Sequence, residues 1–204
     1  MAAPTVMVDV VLAGTKAEHR AALSAARRAA DPAVRAAEAR ALCSHLAAVA
    51  GPGDTVCAYV PVGPEPGTPE LVDRLRDLGA RVLLPVTRPG DPAALLWGEY
   101  RPGALVDGRF GLLEPAGPWL DAEAIAQAAV VLVPALAVDR RGVRLGRGGG
   151  YYDRSLPLRA PGARLVAVVR DEELVDELPS EPHDVRMTHA LTPRGGLVTL
   201  AAGS

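Results

Sequence analysis

The segment Pro134-Ala-Leu-Ala-Val-Asp139-Arg-Arg-Gly-Val-Arg144-Leu-Gly146-Arg147-Gly148-Gly149-Gly150-Tyr151-Tyr152-Asp153-Arg154 concentrates the residue types that handle phosphate. Three consecutive glycines ahead of a helix let backbone N–H groups approach a ligand with no Cβ in the way. The start of a helix adds partial positive charge, so phosphate is the natural occupant of such a turn. Arg144 and Arg147 can add bidentate, charge-assisted hydrogen bonds to its oxygens. The lysine–serine pair of a Walker loop and the third spaced glycine of a dinucleotide fingerprint are both missing. A glycine-rich turn alone is equally well a tight connection; the flanking arginines and the carboxylate that follows favour a ligand.

Other residues have the right chemistry at suggestive spacing. Lys16 is the sole lysine among 22 basic residues. It lies four positions before Arg20, one helical turn, so the two heads can converge on one anion or form a solvated helix face. Glu65 sits among glycines and prolines after an apolar run, with Val60 five residues earlier. Asp153 suits a helix N-terminal acid or a salt bridge to Arg154, Asp184 a surface turn after Pro182, and Asp139 the ordering of the long loop. Aromatic residues are only 3% of the chain, so the pair Tyr151-Tyr152 is locally unusual. Phe110 and Trp97 are secondary pocket candidates whose context favours buried packing, and Cys43 and Cys57 read as structural thiols. His19 and His45 have no metal-ligand partners, and His183 either orients Asp184 by hydrogen bonding or simply ends a loop, the former being favoured.

Positioning these residues requires alternating helices and strands. Residues 16 to about 50 predict two helices, broken at Asp31-Pro32, an N-cap and first-turn proline. Leu42, Leu46 and Val49 recur at helical spacing and predict the buried stripe of the second. Thr55–Val60 predicts a buried strand. Thr68-Pro69-Glu70 opens a helix that buries Leu71, Leu75 and Leu78 and stops at Gly79. Strands are expected at Arg81–Val86, Leu95–Tyr100, Val130–Val133 and Leu165–Val169, with a short helix over 121–129, a long loop after Val133 and a helix from about Gly150. Continuous apolar strands between helices indicate a mostly parallel sheet covered on both faces. One α/β domain over residues 1–204 follows, with chemistry expected in the loops after Val60 and Val133.

The chain of 204 residues carries a net charge of −2, which does not suit a dedicated nucleic-acid binder. Two cysteines make neither a disulfide framework nor a zinc site. The apolar start, residues 5–12, lacks a basic flank, contains Asp9 and is far short of a membrane span. It reads as an unstructured terminus (residues 1–13) or an edge strand, and the protein as cytoplasmic, with no membrane and no nucleic-acid partner.

The string Arg144-Leu-Gly-Arg-Gly-Gly-Gly-Tyr-Tyr-Asp153 resembles the signature of the 5-formyltetrahydrofolate cyclo-ligase (methenyltetrahydrofolate synthetase) family. The likeness extends to Val133-Pro-Ala-Leu-Ala-Val-Asp139-Arg-Arg-Gly142, Lys16-x-x-x-Arg20, Glu65-x-x-Thr68, Glu114-Pro115 and Pro179-x-Glu-x-His183-Asp184, in order along nearly the whole chain. It implies a three-layer α/β/α sandwich with a mostly parallel sheet, related to that of sugar-phosphate isomerases and acyl-CoA transferases. It also implies ATP- and Mg²⁺-dependent closure of 5-formyltetrahydrofolate, with or without a polyglutamate tail, to 5,10-methenyltetrahydrofolate by a monomeric enzyme. ATP binding falls to Lys16, Arg20, Arg144, Leu145, Gly146, Arg147, Gly148, Gly149, Gly150, Tyr151 and Tyr152. Substrate binding falls to Val60, Glu65, Tyr151 and Tyr152, metal binding to Asp153 and Asp184 with Asp139 a third candidate, and catalysis to Arg144, Arg147 and Tyr151.

Two departures stand out. Gly149 occupies a position where some members carry lysine, and Arg170-Asp171 replaces a more apolar lead-in to the acidic segment. Three other readings compete: a non-catalytic nucleotide- or RNA-binding relative, a cyclo-ligase for another amide, and an isomerase or transferase on the same sandwich. The first predicts lost acids or a broken glycine loop, and neither is seen.

Overall fold

The computed structural model describes residues 14–182 and 184–201. The apolar start and His183, singled out above, lie outside the described residues. Helix α1 (Lys16–Ala29) opens with a capping box in which the Thr15 hydroxyl accepts from the Glu18 N–H and the Glu18 carboxylate accepts from the Thr15 N–H. Helix α2 (Pro32–Val49) is capped by Asp31, with Pro32 at its first position as the dipeptide predicts. Its stripe of Leu42, Leu46 and Val49 is fully buried.

The chain continues through β1 (Thr55–Cys57), α3 (Glu70–Asp77), β2 (Arg81–Val86) and β3 (Leu96–Glu99). A small ribbon, β4 (Leu105–Asp107) and β5 (Leu113–Pro115), precedes β6 (Trp119–Leu120) and β7 (Val130–Pro134). Then come β8 (Ala137–Asp139), β9 (Arg144–Leu145), α4 (Tyr151–Ser155), β10 (Arg164–Val168), β11 (Leu174–Val175), β12 (His189–Thr192) and β13 (Gly196–Thr199).

Eight strands form the central sheet in the order β13-β12-β10-β7-β1-β2-β3-β6. The middle strands, β12 through β2, run parallel, and β13, β3 and β6 add antiparallel edges. Successive residues of the parallel strands face opposite layers. Val56, Val130, Leu132, Val166 and Val168 pack with α2 and α3. Cys57, Val131, Val133, Leu165 and Ala167 pack with Trp97, Ile125 and Leu156. Burial on both faces is why these strands read as unbroken apolar runs. The result is the expected three-layer α/β/α sandwich, whose second outer layer consists of α4 and short 3₁₀ turns.

Local differences have local causes. Only Thr55–Cys57 of the expected 55–60 strand belongs to the ladder; Ala58 keeps one bond to Leu83, and the chain then leaves the sheet. Thr68 is not the N-cap of α3; Pro69 occupies that position with helical angles. The segment Ala122–Gln127 is 3₁₀, with Ala124 N–H bonded to Asp121 and Ala128 N–H to Ile125, because so short a connection closes i→i+3 bonds most easily. The long loop after Val133 contains β8 and β9, which with β11 form a separate small sheet. The helix near Gly150 lasts only five residues, since Pro157 lacks the N–H that would continue it. The hairpin β12–β13 has no counterpart among the expected elements; its buried β12 residues add a strand to the parallel core.

Helix α1 packs on the small sheet, with none of its residues in the two clusters that cover the central one. Leu23 packs onto the cluster of Leu136, Val143, Leu145 and Leu178 that fills the small sheet, and the polar stripe of α1 reaches the loops of the site. Among the described residues no helix is long and apolar enough to cross a membrane.

Candidate active site

A cavity of about 410 Å³ opens at the carboxyl ends of β1, β2 and β7, the crevice where ligands bind on open α/β sheets. Tyr59, Val60 and Glu65 form its β1 side, Pro134 and Ala135 its β7 side, and the glycine loop from Gly146 to Gly150 its rim, with Phe110 and Leu113 also on the wall. Gly148 (φ +93°) and Gly150 (φ +72°) take left-handed angles that a side chain would resist, so the loop folds back on itself before α4. Helix α4 is too short to contribute a substantial dipole; the anion-binding capacity of the rim rests on its N–H groups and side-chain cations.

Each cation expected to meet phosphate is held in place by a specific partner. Arg144 donates from Nη2 to Asp153 Oδ1 at 2.6 Å and from Nη1 to the Pro134 carbonyl at 3.2 Å, with its guanidinium 5.8 Å from the Tyr152 ring centre. Arg147 Nη2 lies 3.3 Å from Glu65 Oε1, while Glu65 Oε2 accepts the Val62 N–H at 3.0 Å. Arg20 Nε donates to the Gly146 carbonyl at 2.9 Å, pinning α1 to the glycine loop. Lys16 Nζ stands 3.1 Å from Asp184 and 3.6 Å from Glu181.

These contacts resolve several alternatives. The ion-pair partner of Asp153 is Arg144, whereas Arg154 turns back onto the Gly150 carbonyl. Asp184 is both a turn residue, accepting the Glu181 N–H at 2.7 Å, and the partner of Lys16. Asp139 is fully buried and accepts the N–H groups of Arg141, Val143 and Leu178, so it orders the β8–β9 loop. His45 bonds the Pro193 carbonyl. Burial pushes the Cys57 thiol well above its ordinary range, as suits a structural residue.

Val60, Glu65, Arg144, Gly146, Arg147, Gly148, Gly149, Gly150, Tyr151, Tyr152 and Asp153 all line the one cavity. Arg20 reaches the rim through Gly146, with Lys16 one turn away on the same helix and Asp184 against it. The Leu145 side chain is buried in the small sheet's cluster, leaving only its backbone toward the loop. Trp97 is fully buried, as its sequence context suggests. Phe110 takes the pocket position of its two readings, not the packing one. It is 70% exposed, has a left-handed backbone (φ 59°) and meets Tyr151 edge-on at 6.4 Å, on the cavity wall rather than in the core.

Three residues at or behind the cavity wall escape a reading of the sequence. Arg27, only 2% exposed, forms a two-pronged ion pair with Glu173, also 2% exposed, and donates to the Ala135 carbonyl. A signal for Arg27 exists, since Lys16, Arg20 and Arg27 fall on one helical stripe. Glu173 sits in an ordinary-looking acidic run that carries none. The Tyr59 hydroxyl, like that of Tyr152, is buried without a hydrogen-bond partner among the described residues. Desolvation, then the nearby Glu65 charge, pushes both phenols far above their ordinary value, so both remain protonated.

No cluster of three or more His, Cys, Asp or Glu side chains that could hold a metal occurs among the described residues. The donor set at the rim nonetheless suits Mg²⁺, which takes one or two carboxylates and completes its shell with phosphate oxygens and water. Asp153 is half-exposed, and Arg144 engages its Oδ1.

A parallel-centred α/β/α sandwich with an arginine-flanked glycine rim over an apolar, aromatic-lined cavity is the frame of an enzyme. The chain belongs to the 5-formyltetrahydrofolate cyclo-ligase family, which matches over residues 13–193. It is 58% identical to the 5-formyltetrahydrofolate cyclo-ligase of Mycolicibacterium smegmatis over 189 residues, 91% of this chain and 97% of that one. It is 34% identical to the Escherichia coli K12 enzyme of the same name, covering 68% of this chain and 78% of the other. Among solved structures, the Aquifex aeolicus 5,10-methenyltetrahydrofolate synthetase superposes with a TM-score of 0.75 at 25% identity, covering 93% and 94% of the two chains. The Mycoplasma pneumoniae synthetase shares the fold, with a TM-score of 0.66 at 18% identity over 85% and 96%.

Proposed function

We propose that this enzyme converts 5-formyltetrahydrofolate and ATP into 5,10-methenyltetrahydrofolate, ADP and phosphate. A formamide oxygen is a poor leaving group, so the γ-phosphoryl of ATP is transferred to it first. N10 of the folate then attacks the activated carbon, the C–O bond breaks, and phosphate departs. Phosphoryl transfer of this kind needs positioning and charge neutralisation more than covalent help, and the cavity's residues are of that type.

In this reading Glu65 accepts hydrogen bonds from the donor edge of the pterin, Val60 supplies apolar wall, and Tyr151 and Tyr152 flank the rings. Arg144 and Arg147 neutralise charge on the phosphoryl group in transit, Tyr151 fixes its approach to the formyl oxygen, and Lys16 and Arg20 bind the polyphosphate with the backbone of residues 145–150. Asp153 and Asp184 are the residues to hold Mg²⁺, which when bound neutralises polyphosphate charge.

The observation that carries the reading is the 3.3 Å approach of Arg147, on the phosphate rim, to Glu65, on the ring side of the cavity. That contact supports a reading in which the two halves of the reaction meet at one wall. The test is an assay of the purified protein with 5-formyltetrahydrofolate, followed by absorbance of the methenyl product. Product should form only with both ATP and magnesium ion. No product under those conditions overturns the proposal.

A further inference from the structure

A guanidinium has five N–H donors. In Arg27, Nε meets Glu173 Oε1 at 2.7 Å, while Nη2 meets Glu173 Oε2 at 2.7 Å and the Ala135 carbonyl at 2.6 Å. Three donors are thereby used. The two on Nη1 make no hydrogen bond among the described residues, and that nitrogen is not sealed in the core, so it keeps access to the cavity space that the side chain lines. A purely structural pin between α1 and the loops would need no more than the three bonds already made. A pair of donors held in place by a buried ion pair and open to a cavity is available to a ligand.

The partner's direction follows from the cavities. Arg27 and Glu65 both line the main cavity, and both also line a second, adjoining one of about 270 Å³, so they stand together on the partition between the two. This wall offers a carboxylate acceptor next to a cationic donor. A pterin presents the complementary pattern along one edge, where the amino group and ring N–H donate and the neighbouring ring carbonyl accepts.

We propose that Arg27 is a folate-binding residue whose Nη1 donates to the pterin carbonyl oxygen while Glu65 accepts from the adjacent N–H groups. The assignment rests on the folate reading of the cavity. It makes the buried Arg27–Glu173 pair a recognition device: Glu173 neutralises the charge and fixes the plane of the guanidinium so that its free edge faces the ring. Together the two residues read donor and acceptor positions in sequence, which a carboxylate alone does not.

The test separates recognition from structure. Arg27→Lys keeps a cation for Glu173 and Ala135 but has no donor to spare. The double variant Arg27→Met/Glu173→Leu removes both buried charges at once, a replacement that folded proteins often tolerate. Affinity for 5-formyltetrahydrofolate and for a non-hydrolysable ATP analogue is measured by titration calorimetry, alongside thermal stability. Loss of a hydrogen bond to a charged donor predicts roughly ten- to a hundredfold weaker folate binding in both variants, with nucleotide affinity nearly unchanged. In turnover, KM for the folate should rise by a similar factor while KM for ATP stays put. Either variant that folds and binds the folate like the parent overturns the assignment, as does equal weakening of both ligands. If neither variant folds, the pair is structural and the assignment falls. A parent protein that does not bind 5-formyltetrahydrofolate defeats the functional reading itself, an outcome read before any variant is made.

Discussion

The guanidinium of Arg144 donates to the carboxylate of Asp153 at 2.6 Å, joining a residue proposed as a phosphate ligand to one proposed as a metal ligand. The same arrangement recurs around the rim, with Arg147 against Glu65 and Lys16 against Asp184. Each of these cations, assigned to polyphosphate, rests on an acid assigned to another part of the ligand set. These pairs leave the site close to charge-balanced, and in the proposed reading each incoming group takes over the partner it displaces. Such exchange keeps desolvated charges from being left uncompensated.

Asp153→Asn should remove most turnover while leaving circular dichroism and the melting temperature near those of the parent, because the side chain is half-exposed and the amide keeps its shape. The magnesium concentration needed for half-maximal rate should rise at the same time. A variant with the parent's rate and magnesium dependence would return Asp153 to the role of a simple counterion for Arg144.

Lys16→Ala and Arg20→Ala should each weaken ATP binding far more than folate binding, with Arg20→Ala also loosening the glycine loop through loss of the 2.9 Å bond to Gly146. Each removes a charge-assisted contact of about 1.5–3 kcal/mol. Titration calorimetry with both ligands decides the point, and unchanged nucleotide affinity in both variants would reduce this face of α1 to a structural support.

Glu65→Gln preserves shape but puts an amide where the pterin donors need an acceptor. Folate affinity should fall roughly ten- to a hundredfold with nucleotide affinity nearly constant. Gly67→Ala is the matching loop perturbation: Gly67 has φ +98°, and a Cβ there would lie 3.2 Å from Pro61 and 3.3 Å from Leu71. A Glu65→Gln protein that binds 5-formyltetrahydrofolate as tightly as the parent would favour another amide-bearing substrate.

Asp139→Ala removes the acceptor of three backbone N–H groups from a fully buried site. Leaving those groups unpaired should cost about 3 kcal/mol or more, visible as a lower melting temperature. The magnesium dependence of whatever activity survives should match the parent's, since the role is to order the β8–β9 loop. A shifted magnesium requirement at unchanged stability would make Asp139 a metal ligand after all.

Features written in local chemistry are legible in the amino-acid sequence. Asp31-Pro32 starts α2 because a side-chain acceptor and a fixed φ act within one turn, and Leu42, Leu46 and Val49 mark its buried face through a spacing fixed by helix geometry. The unbroken apolar runs at Val130–Val133 and Leu165–Val169 require a sheet covered on both sides. The string from Arg144 to Asp153 places glycines, cations and an acid within one loop, so most of the rim can be read from a single stretch of ten residues.

The remaining features depend on tertiary packing, because the interactions concerned join residues with no local relation in the chain. Lys16 meets Asp184 across 168 positions and Arg27 meets Glu173 across 146, and no periodicity encodes such pairings. Strands of two or three residues, such as β8 and β9, exist only because a partner completes their hydrogen bonds. Phe110 takes a left-handed backbone on the cavity wall rather than a place in the core, since the surrounding loop rather than its own hydrophobicity sets its position.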